Sequence, residues 1–460
     1  MAVLTISESI QQLRAWFNSG ATRSYEFRVK QLKALDEAIK KFEEEIHQAL
    51  YADLRKSPEE SWVTETGFVH SEIRYNLKHL KQWMQPQSTG TNLLNFPSSS
   101  YMLQEPLGVV LIMGAWNYPF QLLIAPLISA IAAGNCAVLK PSEHAPATAA
   151  VMKKLVRSVF SDQYVLYVEG DGAEVVPLMM NSFRFDHVFY TGGGAVGKLV
   201  YKMAAEKLVP VTLELGGKSP AIVEEDADIR VAARRIAVTK FSNAGQMCIA
   251  PDYVLVHHSK KDALVNALKE TITTFYSSDA SADYGYGRII NSKQFSRIQA
   301  YLQQGRILYG GKADVDSLYI EPTIMDEVPP DAPLMQEEIF GPVLPVIGFE
   351  HAAEALQIIG RNPEPLALYL FTKSKKRESY YFSNISFGGG CVNNTSWHFT
   401  NPHLPFGGRG GSGIGAYHGK TGFDTFTHRK AIMKTPLWFD PAMKYPPFKG
   451  KMNLFKKIIR

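Results

Sequence analysis

The sequence predicts an α/β protein built around two doubly wound α/β domains. Three observations carry this. From Gly108 onward, fully apolar strands recur about 25 residues apart with helical segments between them, the pattern of a parallel sheet covered on both faces. A second alternating region starts after Glu214. The chain has 460 residues, beyond the length over which a single hydrophobic core keeps growing.

Taken in order, Ile10, Leu13 and Phe17 mark an amphipathic N-terminal helix, and apolar residues at three and four spacing predict helices over Arg28 to Glu45 and Glu59 to Trp83. A polar, turn-rich stretch from Pro86 to Ser100 leads to an extended segment around Tyr101 to Gln104. The alternation then begins. Strand Val109-Val-Leu-Ile-Met113 precedes a helix over Pro119 to Ala133, and strand Cys136-Ala-Val-Leu139 precedes a helix over Pro146 to Phe160. Strand Tyr164 to Val168, a helix near Ala173 to Met180, strand His187 to Tyr190 and a helix over Ala195 to Lys207 follow. The second region places strands near Pro220 to Val223, Tyr253 to His257 and Val343 to Ile347. No internal repeat or low-complexity tract interrupts it.

Composition narrows the function. An apolar fraction of 45% and a charged fraction of 20% are those of an ordinary globular protein. A net charge of +5, without a basic block, gives no expectation of nucleic acid as a partner. Three cysteines without short spacing argue against a disulfide framework or a zinc cage, so no metal is expected and the compartment is read as reducing and cytoplasmic. The N-terminus lacks the basic and apolar regions of a signal peptide. The longest apolar stretch, Phe120 to Ala133, is about 14 residues against the roughly 20 that span a bilayer, and reads as a buried helix. The tail carries Lys444, Lys449, Lys451, Lys456, Lys457 and Arg460 among apolar residues, with no acid. A weak peripheral hold on an anionic membrane is one reading. A tail packed on its own protein, lysines in water, is the expectation.

Cys248, in Gly245-Gln-Met-Cys-Ile-Ala-Pro251, is a candidate nucleophile. A free thiol has a pKa of about 8.5, yet even its small thiolate fraction is strongly nucleophilic. A buried structural cysteine is the plain alternative, and the Gly-Gln bend before the thiol favours function. Met247 and Ile249, flanking the thiol, suggest an apolar substrate throat, as does Tyr118. Cys136, inside an apolar strand, and Cys391, in Gly388-Gly-Gly-Cys-Val392, are read as core. Glu214 stands just beyond strand Val211 to Leu213, before the Gly216-Gly217 turn; half-buried, its pKa would rise toward that of a general base. A strand-end salt bridge is the alternative. Asn117, at the carboxyl end of strand 109–113, is either a turn residue or an amide donor to a developing oxyanion. Lys140 and Glu143 end the next strand, as ribose ligands or as a solvated pair. Gly192-Gly-Gly-Ala-Val-Gly197 opens a helix, as a phosphate loop or a plain turn. In Glu337-Glu-Ile-Phe-Gly-Pro342 one acid suits a ribose and Phe340 a flat ring, with core packing as the default for the phenylalanine.

Leu213-Glu-Leu-Gly-Gly-Lys218, Gly245-Gln-Met-Cys248, Glu338-Ile-Phe-Gly-Pro342 and Pro405-Phe-Gly-Gly408, in this order, resemble four signatures of the aldehyde dehydrogenase superfamily over essentially the whole chain. The short N-terminal arm, Cys-Ile-Ala-Pro-Asp-Tyr253 and Tyr417-His-Gly-Lys with Phe423-Asp-Thr-Phe426 look like the class 3 branch. The resemblance implies NAD(P)-dependent oxidation of a medium-chain, long-chain or aromatic aldehyde to its acid, through a thiohemiacetal and a thioester on Cys248. Glu214 would activate the hydrolytic water, and Asn117 with the Cys248 N–H would hold the oxyanion. It assigns Trp116, Lys140, Glu143, Gly192, Gly193, Gly197, Glu338 and Phe340 to the cofactor, NAD by virtue of Glu143, with NADP open. It also implies a bridging, oligomerisation element and a homodimer. The resulting division is 1–87 with 107–211 for the cofactor, 212–411 for catalysis, 88–106 with 412–432 for bridging, and 433–460 as a basic tail. A coenzyme A-acylating enzyme and a non-catalytic binding protein on the same scaffold are the alternatives. Glu214 argues against the first, and Cys248, Glu214 and Asn117 together against the second.

Overall fold

A computed structural model describes residues 3–459. Its first sheet has six strands, in the order Gly413–Ile414, Val211–Glu214, His187–Thr191, Val109–Met113, Cys136–Lys140 and Val165–Tyr167. All neighbours are parallel except the short Gly413–Ile414, which lies antiparallel on Val211–Glu214. Chain order reverses between Val109–Met113 and His187–Thr191, and the crevice outside such a reversal is where doubly wound sheets take ligands. Every residue of Val109–Met113, Cys136–Lys140 and His187–Thr191 is buried, which explains why polar residues stand only at the ends of these strands. The helix Gln121–Ala133 is buried on all sides and ends at Gly134, whose φ of 91° a side chain would oppose.

A second sheet of seven strands runs Arg306–Tyr309, Thr323–Asp326, Val343–Phe349, Tyr253–His257, Pro220–Val223, Ala367–Phe371 and Gly389–Val392. Only its first pair is antiparallel. A third, antiparallel sheet joins Gln87–Thr89, Ser99–Pro106 and Thr427–Lys434.

The N-terminal helices depart from expectation in one useful way. Helix Tyr25–Leu54, capped by the Ser24 hydroxyl accepting from Phe27 N, is longer than its periodicity indicated and stops at Arg55, which takes a φ of 54°. The single helix predicted over Glu59 to Trp83 is three pieces: Pro58–Ser61, a wide π-helical turn Trp62–Thr66, and Gly67–Trp83. The wide turn carries Glu65 into the interior, where it meets the equally buried Lys56. Burying that ion pair outweighs a regular turn, and such bulges concentrate at functional sites.

Three expectations need correction. Glu214 is the last residue of its strand rather than the one beyond it. Cys391 is not core: it lies half-buried on the edge strand Gly389–Val392, its Sγ 3.6 Å from His398 Nδ1. The tail is not packed down. Leu437, Trp438, Tyr445, Phe448 and Met452 are exposed, and its contacts are mostly local, such as Tyr445 Oη to Asp440 at 2.7 Å and the Phe448–Phe455 pair at 5.7 Å. A final helix of seven residues, Met452–Ile458, offers too little apolar area to anchor it. Arg460 lies outside the described residues.

Candidate active site

Cys248 follows three consecutive left-handed residues, Asn243 (φ 49°), Ala244 (φ 50°) and Gly245 (φ 74°). Two of these are not glycine, so the surroundings must hold them there. Glu60 accepts from Asn243 N at 2.7 Å. The Gln246 amide, fully buried, donates to Asn243 O and Arg288 O at 2.9 Å each and accepts from Ile290 N at 3.0 Å. The Tyr369 hydroxyl donates to Ile249 O at 2.5 Å, just after the thiol. A Cβ on Gly245 would stand 2.3 Å from Gly341 O, so that bend admits no other residue.

The thiol stands where two cavities meet; Leu122, Phe406 and Tyr417 line both with it. One cavity, about 940 Å³ of open space, is apolar, walled by Val63, Tyr118, Met247, Ile249, Trp397 and Phe399. His418 belongs to this wall, stacked on Phe406 at 5.2 Å, and burial pushes its pKa down to about 3, so its imidazole is neutral. The other cavity is polar. Trp116, Asn117, Thr191, Gly192, Gly193, Glu214, Glu338 and Phe340 line it, with Gln294, Arg297 and Glu337. Of the residues singled out from sequence, Lys140, Glu143 and Gly197 lie outside this lining. Lys140 Nζ bonds Glu143 at 2.6 Å and Glu143 accepts from Gly172 N at 3.1 Å. Gly197 makes room for Leu215, whose Cδ2 would lie 2.7 Å from a Cβ there.

Electrostatics set the reacting groups apart. Burial first, then the nearby Glu338 and Glu214, push the Cys248 thiol up, so the isolated site holds it protonated. Glu214 is 4% exposed, neither carboxyl oxygen has a partner, and burial holds its pKa well above the ordinary range. Glu338 is pushed up to about 8, chiefly by burial and then by Asp252. Asn117 is buried, and its Nδ2 donates to Gln246 O at 3.1 Å, leaving a second N–H.

The polar cavity fits a dinucleotide. Thr191 Oγ1, Glu214 and Glu338 Oε1 are buried polar atoms without partners in one wall. Gly192 and Gly193 lead into helix Gly194–Glu206, whose first N–H groups receive no side-chain cap, an arrangement that suits a phosphate. A Cβ on Gly216 would be 1.8 Å from Glu338, so only glycine lets that carboxyl lie against the chain. The Phe340 ring meets Trp116 edge to face at 5.2 Å, from a backbone φ of 47°. Lys218 steadies the loop beneath, donating to Asp252, to Leu334 O and to Glu337 O, the last two at 2.8 Å.

Of the channel wall, sequence reasoning found Tyr118, Met247 and Ile249 and missed the rest. Trp397, Phe399 and His418 come from segments without catalytic chemistry, and the Tyr417-His418 pair had served only to mark a branch of a family. It also missed Lys56 and Glu65, whose burial no local pattern announces.

Fold and cleft define the class: a nicotinamide-dependent oxidoreductase. Residues 5–432 match the aldehyde dehydrogenase family. The 4,4'-diaponeurosporen-aldehyde dehydrogenase of Staphylococcus aureus is 46% identical over 99% of both chains. The dimeric NADP-preferring aldehyde dehydrogenase of Rattus norvegicus is 43% identical over 97% of this chain and 99% of its own. The substrate-bound state of Staphylococcus aureus AldH superposes with a TM-score of 0.96 at 45% identity, covering 99% of each chain. The NAD+ complex of the Bacillus cereus aldehyde dehydrogenase gives 0.83 at 27% identity, over 93% of this chain and 88% of that one. The chain belongs to the aldehyde dehydrogenase family and is an NAD(P)-dependent aldehyde dehydrogenase of class 3 type.

Proposed function

We propose that this enzyme oxidises long-chain, medium-chain or aromatic aldehydes to carboxylic acids through a thioester on Cys248, with NAD as the favoured acceptor. The observation that carries this reading is the place of Cys248: one sulfur at the junction of an apolar channel and a dinucleotide-shaped cleft. The channel is walled by apolar and aromatic side chains, which suits a hydrophobic aldehyde.

The Cys248 thiol releases its proton to solvent as its sulfur adds to the aldehyde carbon, forming an S–C bond and an oxyanion to which the Asn117 amide and the Cys248 N–H donate. When bound, the nicotinamide supplies the acceptor for the carbon's hydride. Glu214, ionised, then takes a proton from water, whose oxygen adds to the thioester carbon. The S–C bond breaks, the acid departs, and the proton returns to sulfur. Glu338 with Phe340 and Trp116 would hold the nicotinamide end, Gly192 and Gly193 the diphosphate, with Gly197 behind them in the same turn. Lys140 and Glu143 would take the adenosine ribose. The Lys140 hydrogen bond helps lower the Glu143 pKa against burial, and an ionised carboxylate there repels a 2′-phosphate, which favours NAD.

An orphaned carboxyl at Glu214 favours hydrolysis over transfer of the acyl group to coenzyme A, and acid formation without coenzyme A tests it. With an aldehyde panel, Cys248→Ala is expected to lose at least ~10³-fold in NADH formation, because the covalent path disappears. Glu214→Gln is expected to give a burst of NADH and then stall. Full steady-state turnover in that variant would overturn the role given to Glu214.

A further inference from the structure

Behind the site lies a buried ion pair that touches neither cavity. The Lys56 and Glu65 side chains are both 0% exposed and meet at 2.7 Å. Lys56 Nζ also donates to the main-chain carbonyl of Asn117 at 3.0 Å and lies 3.8 Å from the centroid of the Tyr118 ring. The second oxygen of Glu65 accepts from Gln121 N at 2.8 Å. The pair therefore grips the turn 117–121 at both ends. Asn243, on the loop that leads to the nucleophile, donates its amide to the same Asn117 carbonyl at 2.8 Å. One carbonyl thus joins the Asn117 turn, the nucleophile loop and a lysine from the N-terminal helices.

We propose that Lys56 is a positioning residue for aldehyde oxidation: paired with Glu65, it fixes the main chain of Asn117 and thereby the direction in which the Asn117 amide faces the Cys248 thiol. The proposal rests on the reading of Asn117 as the oxyanion donor. A buried pair is expensive to desolvate and is often replaceable by apolar residues at no cost in stability. What an apolar pair cannot do is hold a carbonyl in place. An oxyanion donor displaced by about 1 Å can cost on the order of 10²-fold in rate, so the geometric role and the role of merely filling the interior separate cleanly.

The test is the rate of the NADH burst with octanal and saturating NAD, measured by stopped flow in four enzymes. These are wild type, Lys56→Met with Glu65→Leu, Asn117→Ala, and the three substitutions combined. The paired variant is expected to unfold within a few degrees of wild type, to bind NAD with unchanged affinity, and to lose about 10²-fold in burst rate. In the Asn117→Ala background the same pair is expected to cost less than about threefold, because the group it positions is gone. A folded paired variant with a wild-type burst, or a loss undiminished in the Asn117→Ala background, overturns the proposal while leaving the oxyanion reading intact. A wild-type burst in Asn117→Ala alone sinks that reading and the proposal with it. If the pair variant does not fold, Lys56→Gln, whose shorter amide no longer reaches Asn117 O, is judged by the same cycle, with about tenfold expected.

Discussion

At the scale of single residues, an unpartnered buried carboxyl is a measurable liability. Burial raises the pKa of Glu214 in the folded protein well above its ordinary value. A raised acid favours the folded state below its unfolded pKa and loses that contribution as pH rises toward the folded one. Replacing it with glutamine removes the dependence. We therefore expect the difference in apparent unfolding temperature, Glu214→Gln minus wild type, to grow by a few degrees between about pH 5 and 8. A difference that is flat with pH would place the ionised form inside the fold. The thiol offers a second measure. Glu338 is the first charge that raises its pKa. Glu338→Gln is expected to speed iodoacetamide labelling of Cys248 at about pH 9 severalfold in cofactor-free enzyme, read against Cys248→Ala as the blank. Cys248 and Glu214 were legible in the sequence because each sits beside a glycine turn that packing alone does not require. Lys56 was not. In Leu54-Arg-Lys-Ser57 it reads as a surface lysine, and only tertiary structure reveals its partners.

Among the elements, the loops at strand ends do the positioning. Gly216 follows strand Val211–Glu214, and a methyl group there would occupy the space of the Glu338 carboxyl. Because that carboxyl is the far end of a flexible side chain, it can move aside. Gly216→Ala is thus expected to leave stability within about 1 kcal/mol of wild type while weakening NAD binding about tenfold, as titration by intrinsic fluorescence can show. The strands themselves were easy to read. Val109–Met113, Pro220–Val223 and Tyr253–His257 stand where their apolar runs end, because both faces are covered. From the residues alone the third sheet was only glimpsed, as an extended segment around Tyr101 to Gln104, and it was the resemblance that grouped 88–106 with 412–432. Ser99–Pro106 is only part-buried and one of its two partners, Thr427–Lys434, lies about 300 residues away, so neither periodicity nor proximity announces that pairing. The π-helical turn Trp62–Thr66 escaped for a related reason: its ion pair is completed by partners far along the chain, Lys56 by the Asn117 carbonyl and Glu65 by Gln121 N, 61 and 56 residues away.

On the scale of the whole molecule, the sheets end in edge strands, and two of these bear on assembly. Thr427–Lys434 ends the small sheet and Gly389–Val392 ends the second one. Open edges invite pairing, and we propose that these two join across a two-fold axis in a homodimer. Leu107 N bonds Phe426 O, so the alternation of an antiparallel ladder turns the N–H groups of Thr427, Arg429, Ala431 and Met433 outward. Ala431→Pro removes one outward donor and spares the inner ladder. Sedimentation is expected to find wild type at twice the 51.3 kDa chain mass and Ala431→Pro shifted toward the single chain. A monomeric wild type would refute the pairing. No helix among the described residues is long and apolar enough to cross a membrane. Four short signatures, scattered between Leu213 and Gly408, told the family because the fold gathers residues from each around one crevice; of the channel wall only Tyr118, Met247 and Ile249, close to Asn117 and Cys248 in sequence, were legible, because apolar residues look alike wherever they end up.

The junction at Cys248 has a practical corollary. A reactive centre with two doors can be barred from one while the other stays in use. An alkyl-chain electrophile entering by the greasy door should mark a single sulfur per subunit even when the dinucleotide door is full, and the reagent's tail length would serve as a ruler for the passage.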